Sequence, residues 1–410
     1  MTADTSTSPH RRAGSTPSRR AEVAATVTLA AVAFIVVTGE TAPVGLLGDV
    51  VRGVRASESQ VGLTVSWYAL VAAATAVPLT RWSARFDRRT VLVVSAVVFG
   101  VGHVLAAAAP NLAVLASGRC LAALGHGVFF AVAAPTAIRL ASETARNRAG
   151  SRVSVGAATA MVVGAPLATL LGQLAGWRTA MAAVAVVSLA LAVTVIRLLP
   201  PLPAPHRERG GAASGVRVTL GTPGLVAILL VTAVAVTGHF VLYIYVAPYT
   251  AESLGVHGAA FTVALLGYGA AAVLGSVLGG RLADRSPVTG TRAAAAVVFV
   301  TALLGLYLAG RLGLPALGVP LLLLWGGAFS LLVVSTTLAV LRRAAGPRAE
   351  TANALYGIIF QVGIVAGSAL GAVWHSAGRT SALPLLAAAV GTVGLILLAR
   401  PGRPFAATAG

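Results

Sequence analysis

The sequence predicts an all-α membrane protein whose chain crosses the bilayer many times. Of its 410 residues, 57% are hydrophobic and 10% are charged, and the mean hydropathy is +0.88. A soluble domain does not have this composition. Apolar runs of about 20 residues, the length that spans ~30 Å of hydrocarbon in a helix, recur along the whole chain.

Twelve such runs take up nearly all of the chain. They lie near residues 23–47, 61–81, 90–109, 112–138, 153–174, 178–199, 224–250, 259–281, 292–310, 314–341, 351–374 and 380–399. The predicted organisation is a disordered tail (1–22), a six-helix bundle (23–199), a linker rich in proline and glycine (200–222), a second six-helix bundle (223–400) and a short tail (401–410). This leaves no room for a soluble catalytic domain, so we expect no enzyme.

The distribution of charge predicts the orientation in the membrane. The net charge is +19, and all 30 basic residues are arginine. If the N-terminus is cytoplasmic, 24 arginines fall on the cytoplasmic side and five in the opposite loops, as the positive-inside rule requires. We therefore expect a cell-membrane protein with both termini cytoplasmic, whose arginines contact anionic lipid and not nucleic acid.

The chain also contains an internal repeat. The segment "PLTRWSARFDRR" matches "GSVLGGRLADRS", which places Arg85 and Arg285 200 residues apart, and "GVFF" at Gly127 matches "GAFS" at Gly327 at the same offset. Two related six-helix halves joined by a flexible linker are typical of secondary transporters that rock around a central site.

These motifs resemble those of the major facilitator superfamily, over nearly the whole chain. The loop motif of that family, a glycine followed after three residues by Asp-Arg, is present in the second half as Gly280, Asp284 and Arg285. The first half has Thr80, Ala84 and Arg85 at the matching positions, followed by Arg88 and Arg89. The acidic residue is therefore missing there, which puts the usual ion pair of this loop in doubt.

The fifth run, "GAPLATLLGQLAGWR", with Gly164 and Pro166, is similar to the antiporter motif of the family, so the resemblance implies export by exchange. Segments such as "TGETAPVGLLGDV" and "VTGHFVLYIYVAPY" resemble bacterial sugar efflux transporters, although chloramphenicol exporters share many of them. We therefore predict proton-coupled efflux of sugars or related small polar metabolites, with an amphenicol or other drug as the alternative cargo.

The source of energy follows from what the sequence lacks. It contains no P-loop pattern, no cluster of metal ligands and no Gly-x-Ser-x-Gly elbow. We expect no cofactor and no metal, with transport driven by the proton gradient. The expected partners are protons, a small-molecule substrate and membrane lipid, and the expected state is a monomer.

Three polar residues in the apolar runs are candidates for proton coupling. Glu40 is the one carboxylate predicted deep in the membrane, where an unpaired charge costs a few kcal/mol or more. Arg119 in the fourth run has a similar predicted depth, and its charge would favour the ionised form of Glu40, whereas desolvation favours the protonated form. His126 follows two helical turns later on the same face. The alternatives are a structural carboxylate, a permanent salt bridge and a buried neutral histidine.

Four further residues are candidates for binding the substrate. His239 and Tyr243 lie four residues apart on one face of the seventh run, where hydroxyl and imidazole groups beside an aromatic face suit a sugar. Gln361 in the eleventh run and Tyr68 in the second would complete the site. The alternative for these polar groups is hydrogen bonding between helices.

The predicted orientation can be tested at the linker. In a Cys120→Ser background, a cysteine placed at Ser214 should react with a membrane-permeant maleimide and not with an impermeant one in intact cells, because the linker is expected in the cytoplasm. Equal labelling by both reagents would reverse the orientation.

Overall fold

The computed structural model describes residues 19–204, 219–285, 288–344 and 348–399. The first half of the chain forms eight helices: α1 (Arg19–Gly45), α2 (Leu47–Val54), α3 (Glu58–Ser83), α4 (Arg88–Ala107), α5 (Leu112–Leu140), α6 (Arg146–Thr159), α7 (Ala165–Ala175) and α8 (Trp177–Leu198). The described part of the second half contains the helices α9 (Leu225–Tyr243), α10 (Val246–Leu254), α11 (Gly258–Arg285), α12 (Val288–Leu312), α13 (Pro315–Arg343), α14 (Arg348–Ser376) and α15 (Leu383–Ala399).

The described chain contains eleven helices that are each long and apolar enough to cross a membrane. The twelfth crossing is the fifth predicted run, which is divided into α6, a π turn (Ala160–Gly164) and α7. Pro166 explains the division, because it has no N–H with which to continue the α-helical hydrogen bonding. The N–H of Ala165 instead bonds the carbonyl of Ala160, five residues back. The predicted all-α fold with twelve crossings is confirmed.

The disordered tail was predicted to continue to residue 22, which is too far along the chain. Helix α1 begins at Arg19, and Glu22 in its first turn is buried. A carboxylate oxygen of Glu22 accepts a hydrogen bond from the N–H of Ser142 at 3.1 Å, which fixes the start of α1 against the loop after α5. Residues 1–18, most of the predicted linker (205–218) and residues 400–410 lie outside the described residues.

The loop between α3 and α4 holds the start of the linker. Asp87 caps α4 by accepting from the N–H of Thr90 at 3.1 Å, and its other oxygen accepts from the N–H of Leu202 at 2.5 Å.

The motif arginines contact the same region. Arg89 donates to the carbonyl of Ile196, and Arg85 lies over the rings of Trp82 and Phe86. The N–H of Arg88 donates to the Leu202 carbonyl. Although Ala84 replaces the acidic residue of the loop motif, Asp87 thus supplies a carboxylate three residues later.

The two halves share one hydrophobic core at the end of the bundle opposite the linker, which we call the far end. This core joins Val61 and Val65 of α3 to Val241, Tyr245 and Ala372 of the second half. Toward the linker end, each half has its own core, one within residues 25–202 and one within residues 225–398. The packing therefore closes the molecule at the far end and separates its halves toward the linker.

Polar contacts between the halves belong to the same far end. The hydroxyls of Ser66 in α3 and Ser368 in α14 are 2.6 Å apart, and Thr262 in α11 donates to Gln173 at 2.9 Å. Nearer the surface, Nε2 of His375 lies 2.9 Å from Oε2 of Glu58, an ion-pair distance without hydrogen-bond alignment. The Ser66–Ser368 and Glu58–His375 contacts hold α3 and α14 together in an antiparallel pair, and the Thr262–Gln173 bond joins α11 to α7.

The closure can be tested by crosslinking. In a Cys120→Ser background, cysteines at Ser66 and Ser368 should form a disulfide under mild oxidation and block transport until reductant is added, because the two side chains touch. The control pair, Thr80 and Ala354, lies 14 residues closer to the linker on the same two helices and should crosslink much more slowly. Equal rates for the two pairs would contradict closure at the far end.

Candidate functional site

The site begins with a break in the hydrogen bonding of α1. Pro43 lies inside this helix and has no N–H, so the carbonyl of Gly39 loses its partner within the helix. Arg119 of α5 takes that role: Nη1 donates to the Gly39 carbonyl at 3.3 Å and Nη2 to the Glu40 carbonyl at 3.1 Å. A guanidinium that is only 1% exposed is thus positioned by the backbone of α1.

The guanidinium also lies over an aromatic ring. Its central carbon is 4.8 Å from the centroid of the Tyr68 ring, in a cation–π contact that desolvation strengthens. The predicted pairing of Arg119 with Glu40 therefore takes a different form. The two residues meet, but Arg119 bonds the backbone oxygen of Glu40 and not its carboxylate, because the carbonyls near Pro43 compete for its donors.

The carboxylate of Glu40 faces a histidine instead. Its Oε2 is 3.7 Å from Nδ1 of His126, and the same nitrogen is 2.9 Å from the hydroxyl of Tyr68. The side chains of Glu40 and His126 are 13% and 10% exposed, so neither is fully buried. We call Glu40, Tyr68, Arg119 and His126 the Glu40 cluster. It unites the three predicted proton-coupling residues with Tyr68, which the sequence analysis assigned to the substrate.

A second histidine, His103 of α4, lies against Gly39 of α1 and was not among the predicted site residues. It is 1% exposed, and its Nδ1 lies 3.0 Å from the carbonyl of Phe99. Its Nε2 lies against Gly39, where an added Cβ would stand 2.5 Å from this nitrogen. The sequence separates His103 and Gly39 widely and offers no spacing that connects them. The one local signal is Gly39 itself, which allows the close approach.

The antiporter motif sets the position of α1 from its other side. Gly164, in the π turn, lies so close to α1 that an added Cβ would stand 2.0 Å from the hydroxyl of Thr38. In the same way, Gly156 faces the carbonyl of Ala30, and Thr169 of α7 faces Gly45. Glycines on both elements therefore allow a close contact along most of α1.

The matching motif residues of the second half lie at the end of α11. Gly280 has open space where a Cβ would be added, so its packing imposes no demand for glycine. Asp284 and Arg285 belong to the last turn of the helix, and their side chains lie outside the described residues.

The predicted substrate residues of the second half lie in a buried aromatic cluster. The ring of His239 stacks on Phe329 with centroids 3.6 Å apart and planes at 9°, and it is 4.6 Å from Trp325 and 5.0 Å from Tyr243. Its Nε2 is 3.3 Å from the hydroxyl of Tyr268. Hydrophobic periodicity could not distinguish Tyr268, Trp325 and Phe329 from ordinary core residues, so only His239 and Tyr243 could be predicted.

This aromatic cluster is closed in the present conformation, since His239 and Trp325 are 0% exposed and Tyr243 is 1% exposed. Within the described chain, Nδ1 of His239 and Nε1 of Trp325 have no hydrogen-bond partner. Gln361 is half-buried on α14 and takes part in no hydrogen bond among the described residues.

Comparison with known proteins places this geometry in a family. The sequence profile of the Major Facilitator Superfamily matches residues 29–368. A chloramphenicol efflux pump of Mycobacterium tuberculosis (strain H37Rv) is 38% identical over 378 residues, which cover 90% of this chain and 89% of the relative. The similarity thus extends over both halves.

Solved structures show the same fold. A D-xylose-proton symporter superposes with a TM-score of 0.73 at 15% identity, covering 92% of this chain and 97% of the symporter. A bacterial homologue of the human lysosomal transporter Spinster, in an inward-facing and unoccupied conformation, gives a TM-score of 0.70 at 14% identity and covers 93% and 95% of the two chains. The chain belongs to the major facilitator superfamily and is a multi-pass membrane transporter.

Proposed function

We propose that this transporter is a proton-coupled exporter, which exchanges protons for a neutral amphipathic molecule that carries an aromatic ring. The observation that carries the proton half of this proposal is the partly exposed carboxylate of Glu40, 3.7 Å from His126 in an otherwise buried cluster. In the proposed cycle, Glu40 takes up a proton in one conformation and releases it in another, because its environment changes between the two.

The environment of Glu40 supports two protonation states. The nearby charge of Arg119 favours the carboxylate, whereas loss of water from the interior favours the neutral acid. Because the guanidinium bonds the backbone and not the carboxylate, the two side chains do not form a closed ion pair that would hold Glu40 permanently ionised. A change in hydration or in bound cargo is then enough to shift the balance.

His126 and Tyr68 are suited to pass the proton on. One nitrogen of His126 lies near both the carboxylate of Glu40 and the hydroxyl of Tyr68. A hydroxyl both donates and accepts, and an imidazole ring can carry a proton on either nitrogen. We assign these two residues to the transfer of a proton between Glu40 and the interior of the transporter.

The conformation supports a direction of transport. With the predicted orientation, the end at which the halves separate faces the cytoplasm, and the closed far end faces outward. This would be the state that takes up cargo from the cytoplasm. Opening of the far end would then release the cargo outside and admit a proton to Glu40.

The cargo is proposed from the aromatic cluster and the M. tuberculosis relative together. The rings of His239 and Phe329 stack on one another, and aromatic faces of this kind would also stack on an aromatic ligand once the cluster opens. The relative is a chloramphenicol efflux pump at 38% identity, so we propose an amphenicol-like cargo. A sugar is the second candidate, because the unpartnered nitrogens of His239 and Trp325 could bond hydroxyl groups.

Replacing Glu40 tests the coupling. Glu40→Gln keeps the size of the protonated side chain but cannot release a proton, so the variant should fold and bind cargo while losing efflux driven by a pH gradient. Exchange of cargo for cargo needs no net proton movement and should persist. Both activities can be measured with labelled chloramphenicol in inverted vesicles and proteoliposomes.

The matched control is Glu252→Gln, which neutralises an exposed carboxylate on α10 and should leave both activities unchanged. Full gradient-driven efflux in Glu40→Gln would show that the carboxylate is structural and that another group carries the proton.

A substrate panel tests the cargo. Inverted vesicles should accumulate chloramphenicol, and arabinose should neither accumulate nor compete. His239→Phe keeps the stack on Phe329 and removes both ring nitrogens, so it should weaken apparent affinity by about 1–3 kcal/mol if a nitrogen bonds the cargo. His257→Phe, at an exposed loop position, is the control. Accumulation of arabinose alone would favour the sugar exporter instead.

A further inference from the structure

We propose that His103 is a second proton-binding site, which donates from Nε2 to the Gly39 carbonyl when it is protonated. The inference rests on the proposed function for its role in transport, but the binding site itself does not. His103 lies against Gly39, whose carbonyl also accepts from Arg119 of the Glu40 cluster, and nothing in the proposed proton pathway uses it.

The two ring nitrogens of His103 face different surroundings. Nδ1 is 3.0 Å from the carbonyl of Phe99, and because a carbonyl only accepts, Nδ1 carries a hydrogen. Nε2 is then a bare acceptor in the neutral ring. It has no hydrogen-bond partner in the described part of the chain, although it is buried against Gly39. A buried polar atom without a partner is unfavourable, so this arrangement favours a change that gives it one.

Protonation supplies that change, because the imidazolium donates from both nitrogens. The Gly39 carbonyl is the acceptor at hand, since Pro43 leaves it without a helix partner and Arg119 approaches it at 3.3 Å. A carbonyl oxygen has two lone pairs, so it can accept from Arg119 and His103 together. The proton would therefore tie α1 to α4 at the residue next to Glu40.

Some of the charges around His103 oppose its protonation, and others favour it. From α5, the guanidinium of Arg119 opposes a second positive charge. From α1, Glu40, the residue after Gly39, carries a negative charge when it is ionised. From α8, the neighbour at Gly39 is the apolar Val184, and within α4 the ring packs on Phe99. His103 should thus bind its proton most readily while Glu40 is ionised. A proton is then held either by His103 or by Glu40.

The direct test is the protonation state of the ring. The full-length protein, labelled with ¹⁵N-histidine, is compared with His103→Gln to assign the His103 signals, over about pH 3.5 to 9, a range that extends below ordinary histidine titration because burial and Arg119 both oppose the imidazolium. We expect both nitrogens protonated at the acidic end and Nδ1 alone at the alkaline end. A neutral ring with a bare Nε2 at every pH would overturn the proposal.

A second measurement separates a coupled site from a passive one. In Glu40→Gln the negative charge is removed, so the titration of His103 should move to lower pH than in the wild type, whereas Glu252→Gln should not move it. An unchanged titration would overturn the coupling between the two sites.

Transport then tests the use of the site. His103→Phe fills the same space without binding a proton and should reduce the number of protons released per cargo bound in detergent, measured with a pH dye, while His257→Phe should not. Because the NMR titration does not depend on cargo, loss of proton coupling in the wild type would refute the proposed function alone. Unchanged proton release in His103→Phe would refute the role of His103 alone.

Discussion

The carbonyl of Gly39 is the point on which the rest of the site depends. Pro43 removes its partner within α1, and a buried carbonyl without a partner is unfavourable. Arg119 satisfies it from α5 and is itself held in place over the Tyr68 ring. The position of the cation, and through it the electrostatic environment of the Glu40 carboxylate, therefore follows from a proline one helical turn along the chain.

The packing around α1 serves this arrangement. Gly39 admits His103 on one side, and Gly164 and Gly156 bring the fifth crossing close on the other. Helix α1 thus has little freedom to shift sideways, while its broken hydrogen bonding allows local bending. In a transporter that closes at one end and separates at the other, such a helix can carry movement of the halves to the proposed protonation site.

The sequence predicted the fold because long apolar runs have few structural solutions in a membrane, and it selected Glu40 because a carboxylate in such a run is costly. The sequence also predicted that Arg119 lies near Glu40. It could not predict that the guanidinium bonds the backbone, since that depends on the distance between α1 and α5. His103 and Trp325 were missed for a related reason: each is one polar group in an apolar run, and its meaning comes from a neighbour distant in sequence.

A double-mutant cycle between Pro43 and Arg119 tests the central claim most directly. Pro43→Ala restores an N–H that can bond the Gly39 carbonyl. Arg119→Met should therefore lower the free energy of unfolding less in the Pro43→Ala background than in the wild type, by about 0.5–3 kcal/mol. Pro135→Ala, in α5 but outside the site, should leave the cost of Arg119→Met unchanged. If Arg119→Met costs the same in the wild type and in the Pro43→Ala background, the freed carbonyl does not position Arg119, and the central claim is wrong.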